Sequence, residues 1–117
     1  MNPDEFKKRT KAFALRIIRL VEALPKLPIP RAIGGQLLRS GTSVGANYRA
    51  SCRARSRADF VSKMGIVEEE CDESIYWMEL LIESGQVKPA RLEDLIKEAS
   101  EILSLVVSSI RTARSPK

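Results

Sequence analysis

The sequence predicts an all-α fold, an antiparallel up-and-down four-helix bundle that uses residues 1–117 as a single domain. Three observations carry this expectation. Apolar residues recur at the helical period in four separate segments. Capping residues, prolines and a glycine punctuate the chain between those segments. Alternation with period two, the mark of half-buried strands, is absent. Four amphipathic helices with short connections bury their stripes by packing as a bundle.

The first helix opens on Asn2 as a cap, with Pro3 at the first helical position and Glu5 three residues after the cap. Phe6, Phe13, Ile17, Leu20, Val21 and Leu24 form one face at a period near 3.6. The prolines of L-P-K-L-P-I-P, Pro25 to Pro30, are expected to end it in a stiff connection, because proline lacks the N–H donor and disfavours helix in the residue before it.

The second helix is expected from about Arg31 to Ala54, with Ile33, Leu37, Gly41, Val44, Tyr48 and Cys52 on one side. Gly34, Gly35, Gly41 and Gly45 each cost up to ~1 kcal/mol relative to alanine. A helix that accepts this cost needs close backbone approach, so Gly41 and Gly45 mark a close helix crossing. Ser56 followed by Asp59 reads as the cap of the third helix. Its main face is Phe60, Met64, Val67, Cys71, Ile75, Met78 and Ile82, and Gly85 suits the position just past its end. The fourth helix follows Pro89 to about Arg111, with Leu92, Leu95, Ile96, Ala99, Leu103, Val106 and Ile110 inside.

Composition bounds the function. With 44% hydrophobic and 30% charged residues, the chain has a globular rather than a disordered balance. The longest stretches without a charge fall far short of the roughly twenty apolar residues of a membrane span. The N-terminus has no apolar signal core, so a cytoplasmic protein is expected. Cys52 and Cys71 sit at different heights on paired helices and are expected as reduced core residues, not a disulfide. There is no histidine, which removes the commonest general base and argues against a zinc site and a diiron bundle. No phosphate-loop motif appears. The chain is therefore expected to be no enzyme, with no cofactor and no metal.

Charge is unevenly placed. Residues 31–63 hold seven basic groups and one acid, whereas residues 64–84 hold seven acids and no base. Adjacent segments of opposite sign point to a partner chosen by electrostatics, either a neighbouring subunit or a polyanion. On a continuous second helix Arg31, Arg39, Arg49, Arg53 and Arg57 would fall within about 80° of one another. Guanidinium groups suit phosphate and carboxylate, so these five are the candidate nucleic-acid contacts; a solubilising face is the plainer alternative. On the third helix Ile66, Trp77 and Leu80 cluster away from the core stripe, with Tyr76 at their edge and Glu73 among them. Such a second apolar face fits a subunit interface. Glu73 needs a partner if buried, and Arg39 is expected at its height. Glu68, Asp72, Glu79 and Glu83 form a separate acidic stripe, either solvated or facing the arginines of another subunit.

The segments S-V-G-A-N at Ser43 to Asn47, R-A-R-S-R-A-D-F leading into the third helix, and E-E-E-C-D-E-S-I-Y-W beyond it carry a resemblance over nearly the whole chain. They resemble the bacterial four-helix bundle protein family, some members of which are encoded in intervening sequences of 23S rRNA genes. More distantly, they are similar to the accessory variability protein of diversity-generating retroelements. Ser43 and Asn47 match the family's small-residue packing motif, Phe60 its aromatic at the start of the third helix, and Glu73 its recurring acid. Many members have glutamate soon after the asparagine, where this chain has Ala50 and Ser51. The resemblance implies a ring-shaped homopentamer with a nucleic-acid-associated role. Asn47 is expected as a satisfied polar residue linking two helices. Two function classes follow: an accessory factor that binds RNA or DNA, alone or alongside a reverse transcriptase or other protein, and a structural or protein-interaction oligomer whose charged faces pair between subunits.

Overall fold

The computed structural model describes residues 1–116, among which there are four α-helices and no strand. Helix α1 spans Pro3–Glu22, α2 Pro28–Ser51, α3 Arg57–Glu83 and α4 Glu93–Arg114, with a single 3-10 turn at Pro89–Arg91 before α4. They form a rod of 51 × 21 × 19 Å. Helix α2 packs most extensively against α3, α1 packs against α2 and α3 against α4, while α1 and α4 meet sparsely.

Local chemistry sets the helix ends. The Asn2 side chain accepts from the Asp4 and Glu5 N–H groups, at 2.9 and 3.2 Å, and so satisfies two donors that a helix start leaves open. Ser56 accepts from the Asp59 N–H at 3.0 Å. Gly85 takes φ +79°, and beyond it the Gln86 N–H donates to the Leu81 carbonyl at 2.9 Å while the Gly85 N–H donates to Ile82. This is a Schellman ending, in which glycine occupies the left-handed position without a Cβ penalty.

The buried residues step alternately by four and three. In α1 they are Phe6, Thr10, Phe13, Ile17 and Leu20, followed by Leu24; in α3 they are Met64, Val67, Cys71, Ser74, Met78 and Leu81. All of α3's positions in this seam are fully enclosed. Where α1 meets α2, a Cβ built on Gly34 would touch Leu24, one on Gly41 would touch Ile17, and one on Gly45 would touch Thr10. Advancing along α2 therefore retreats along α1. A Cβ at Gly41 would lie 2.8 and 2.9 Å from Ile17 Cγ1 and Cγ2, and one at Gly45 would meet the Thr10 backbone at 3.4 Å.

Several expectations need correction. Helix α2 begins at Pro28, three residues before the expected start, because a helix's first turn has no intrahelical use for the N–H groups that Pro28 and Pro30 lack. Cys52 is exposed: it lies just past the end of α2, where the core face has stopped. Cys71 is buried, its thiol donates to the Ala99 carbonyl at 3.2 Å, and burial pushes its pKa up to about 12. In α3 the seam runs through Ser74 and Leu81, with Phe60, Ile75 and Ile82 half-buried beside it. In α4 Ile102 is enclosed and Ile96 and Leu103 are half-buried.

Candidate nucleic-acid interface

Helix α2 stops at Ser51 because its last turn tightens. The Arg53 and Ala54 N–H groups donate to the carbonyls three residues back, Ala50 and Ser51, both at 3.1 Å. The Ser51 hydroxyl donates to the Tyr48 carbonyl at 2.7 Å. The chain then turns and Ser56 caps α3. This overturns the single stripe of five arginines. Arg31, Arg39 and Arg49 lie on α2, Arg53 lies in the connection, and Arg57 is the first residue of α3. The wheel assumed a helix that the tightened turn ends.

The turn nevertheless gathers charge. Arg49, Arg53, Arg55 and Arg57 are all exposed at one end of the rod, whereas Arg39 lies mid-helix and Arg31 near the opposite end of α2. None of the five predicted arginines makes an ion pair among the described residues. Arg53 and Arg55 border a shallow depression with Ala50, Asp59 and Lys63. Asp59 is already engaged: Lys63 Nζ lies 2.7 Å from Oδ1, and the Arg55 N–H donates to Oδ2 at 3.1 Å. The Lys63 contact, then the Arg55 N–H, hold the Asp59 carboxyl below the ordinary aspartate range.

The expected Arg39–Glu73 pair does not form. The height was right, since the Ser74 hydroxyl meets the Ser40 hydroxyl at 2.9 Å, one residue further along each helix. The serines occupy the α2–α3 seam, which rotates their neighbours out of it. Arg39 is exposed and Glu73 half-buried. On the second face of α3, Ile66 and Tyr76 are 44% and 52% exposed, the largest openings there. Leu80 is half-buried, as is Trp77, which packs against the core and meets the Tyr76 ring edge-on at 5.0 Å. The Trp77 Nε1 is enclosed without a hydrogen-bond partner.

Within the small-residue motif, Gly41 and Gly45 face α1. Ser43 Oγ donates to the Arg39 carbonyl at 2.6 Å, and Asn47 Nδ2 donates to the Ser43 carbonyl at 2.8 Å. Asn47 therefore bonds within its own helix instead of linking two, because one turn back a carbonyl is already within reach. Besides the Cys71 bond to the Ala99 carbonyl, sequence reasoning missed two contacts between helices. One is the Ser40–Ser74 pair. The other is Arg9, whose Nε and Nη2 reach the two Glu98 oxygens at 2.8 and 2.7 Å while Nη2 also reaches Glu101 at 3.0 Å, joining α1 to α4. Neither leaves a signal in spacing, since each depends on which helix lies alongside. No helix among the described residues is long and apolar enough to cross a membrane.

Residues 4–108 match the model of the 23S rRNA-intervening sequence protein family. The chain belongs to that family. Among solved structures, it is similar to a protein of unknown function from the S23 ribosomal protein family of Bacteroides thetaiotaomicron, at 36% identity and a TM-score of 0.86. That similarity covers 95% of this chain and 99% of the other. No curated protein matches. The family match takes in the segment Ser43 to Asn47 and the whole of α3, and the fold is shared with the Bacteroides protein over nearly the full length of both chains.

Proposed function

We propose that this intervening-sequence family protein is a non-enzymatic cytoplasmic accessory factor that binds RNA or DNA backbones. It does so as a ring of five antiparallel up-and-down bundles, alone or beside a reverse transcriptase or other protein. The observation that carries this reading is the group of exposed arginines at the α2–α3 turn, where the neighbouring Asp59 is already bonded to Lys63 and the Arg55 N–H. Free guanidinium groups grip phosphate without reading bases, so binding is weakly sequence-specific and falls steeply with salt as counterions are released. A ring multiplies the contacts by presenting several such corners together. Its closure uses the α3 face of Ile66, Tyr76, Trp77, Leu80 and Glu73.

A filter-binding salt titration tests the reading. Replacing Arg49, Arg53 and Arg57 together by glutamine should weaken binding and flatten the salt slope while leaving assembly intact. Light scattering should give about five times 13.1 kDa for both proteins, and Trp77→Glu should dissociate the ring by forcing an unpaired charge into the interface. The acid-only stretch of residues 64–84 supports a second reading, in which these acids meet the arginines of the next subunit. Loss of assembly in the triple variant, or no wild-type binding at low salt, would favour that structural oligomer.

A further inference from the structure

The large apolar side chains open to solvent are not scattered over the rod. Apart from Met1 at the terminus, Ile66 and Tyr76 belong to α3, and Leu15, Leu27, Ile29 and Leu38 belong to α1, α2 and the connection between them. Helix α4 contributes none among the described residues. The α3 group lies on the face assigned above to subunit contact. The α1–α2 group has no part in that contact so far.

Helix rotation brings Leu15, Ile18 and Leu38 together. Helix α1 turns Ile17 towards Gly41 of α2 and Arg9 towards α4. At 100° per residue, Ile18 and Leu15 lie about 100° and 160° round α1 from Ile17, on the side away from Arg9. Helix α2 turns Gly41 towards α1 and Ser40 towards α3. Leu38 lies about 60° round from Gly41, on the side away from Ser40. Both displacements lead out of the bundle on the same side of the α1–α2 pair. Val21, Arg31 and Gly35 border one shallow depression on that side. Leu15 and Leu38 are exposed there, and Ile18 is half-buried between them and the core.

The two apolar faces carry opposite charge. Lys11, Arg19, Arg31 and Arg39 are exposed around the α1–α2 group. Glu22 is an acid near its end, and α2 has no acid of its own. On α3, Glu69 and Glu73 share the side of Ile66, Tyr76 and Leu80, within a stretch of seven acids and no base. Two acid-flanked faces repel, so α3 of one copy is poorly matched to α3 of another. A base-flanked apolar face answers it. One side of the rod, 51 by 21 Å, has room for the roughly 800 Å² per partner of a stable interface.

We infer that the α1–α2 face of one copy receives the α3 face of the next. Leu15, Ile18 and Leu38 pack on Ile66, Tyr76 and Leu80, and the surrounding bases meet Glu69 and Glu73. Such a contact joins two different surfaces, so it repeats head to tail and closes into a ring when the rotation allows. The inference rests on the α3 contact proposed above, but on neither the number five nor nucleic acid. It supplies partners for the α3 acids while leaving Arg49, Arg53 and Arg57 open at the end of the rod.

Mixing two blocked variants tests the pairing. Leu38→Glu puts an acid where the acidic α3 face docks, and Tyr76→Arg puts a base where the basic α1–α2 face docks. Each alone should scatter light as a 13.1 kDa monomer under conditions where the wild type assembles. An equimolar mixture should give about twice that mass, because one intact face of each kind remains and the chain of contacts stops at a heterodimer. Leu15→Glu, on the other helix of the same face, decides the matter if Leu38→Glu loses helical content by circular dichroism. Wild-type assembly in Leu38→Glu and Leu15→Glu, or a mixture that stays monomeric, would overturn the pairing; with Tyr76→Arg dissociated, the α3 contact would still stand. A monomeric wild type, or an assembled Tyr76→Arg, would remove the α3 contact and the pairing together.

Discussion

Gly41 and Gly35 lie on the same helix and call for opposite responses to alanine. A Cβ at Gly41 would sit 2.8 Å and 2.9 Å from the two γ-carbons of Ile17. Those atoms are fixed to a β-branched centre and cannot swing aside. Gly41→Ala should therefore destabilise the protein by about 1–3 kcal/mol through overpacking. A Cβ at Gly35 meets nothing within 4 Å. Gly35→Ala should instead stabilise by roughly 0.5–1 kcal/mol through helix propensity. Urea unfolding midpoints check both signs, and two changes of equal sign would remove the argument for a close crossing. At this scale the sequence was legible where a residue is costly in its place. Four glycines in one helix demand an explanation, and Gly41 supplied it. Ser40 and Ser74 demand none, since serine is ordinary at a helix surface and only the neighbouring helix makes each a buried partner.

Among the elements, α3 has the most fully specified end. Gly85 at φ +79° permits the Schellman bonds to Leu81 and Ile82 and lets Val87 fold back into the core. Gly85→Ala should cost about 1 kcal/mol, because an L side chain is strained there even though open space surrounds it. A thermal melt unchanged by this substitution would mean that the turn relaxes without penalty. Caps such as Asn2, Ser56 and Gly85 were readable because their chemistry is complete within three or four residues of chain. The start and end of α2 were not. Proline both breaks and begins helices, and only the observed first turn distinguishes the two uses at Pro28. The rotation of α3 was misplaced by a fraction of a turn for a related reason: apolar residues flank its seam on both sides, and the positions of α2 and α4 decide which are enclosed.

For the molecule as a whole, α1 and α4 meet only sparsely, and the two-pronged bond from Arg9 to Glu98, extended to Glu101, spans that contact. Arg9 first of all holds the Glu98 carboxyl below the ordinary glutamate range. A depressed folded pKa contributes stability that is present above the unfolded value, about 4.3, and is lost as pH falls through the folded value. Arg9→Gln should therefore lower stability at neutral pH, and the gap between variant and wild type should close as the medium is acidified below about pH 4. Denaturant titrations across that range measure it; a constant gap would show that Arg9 acts through packing alone. The candidate interface was legible at this scale as a charge imbalance, seven bases beside seven acids in adjacent stretches. Its shape was not, because the tight end of α2 turns a supposed stripe into a corner.

The alternating four-and-three step of the buried residues restricts how this chain can change length. A strict seven-residue repeat winds packed helices into a left-handed supercoil, and each residue added within a helix turns everything beyond it by about 100°. One alanine inserted after Glu70 would swing Cys71, Ser74, Met78 and Leu81 out of the seam together and should abolish cooperative unfolding. The same alanine inserted between Ala54 and Arg55, in the connection, should be nearly silent. Insertions and deletions in related chains should then gather in the connections, or come as whole heptads added to neighbouring helices at once. The rod's length would vary over evolution in increments of roughly 10 Å, with its girth held constant.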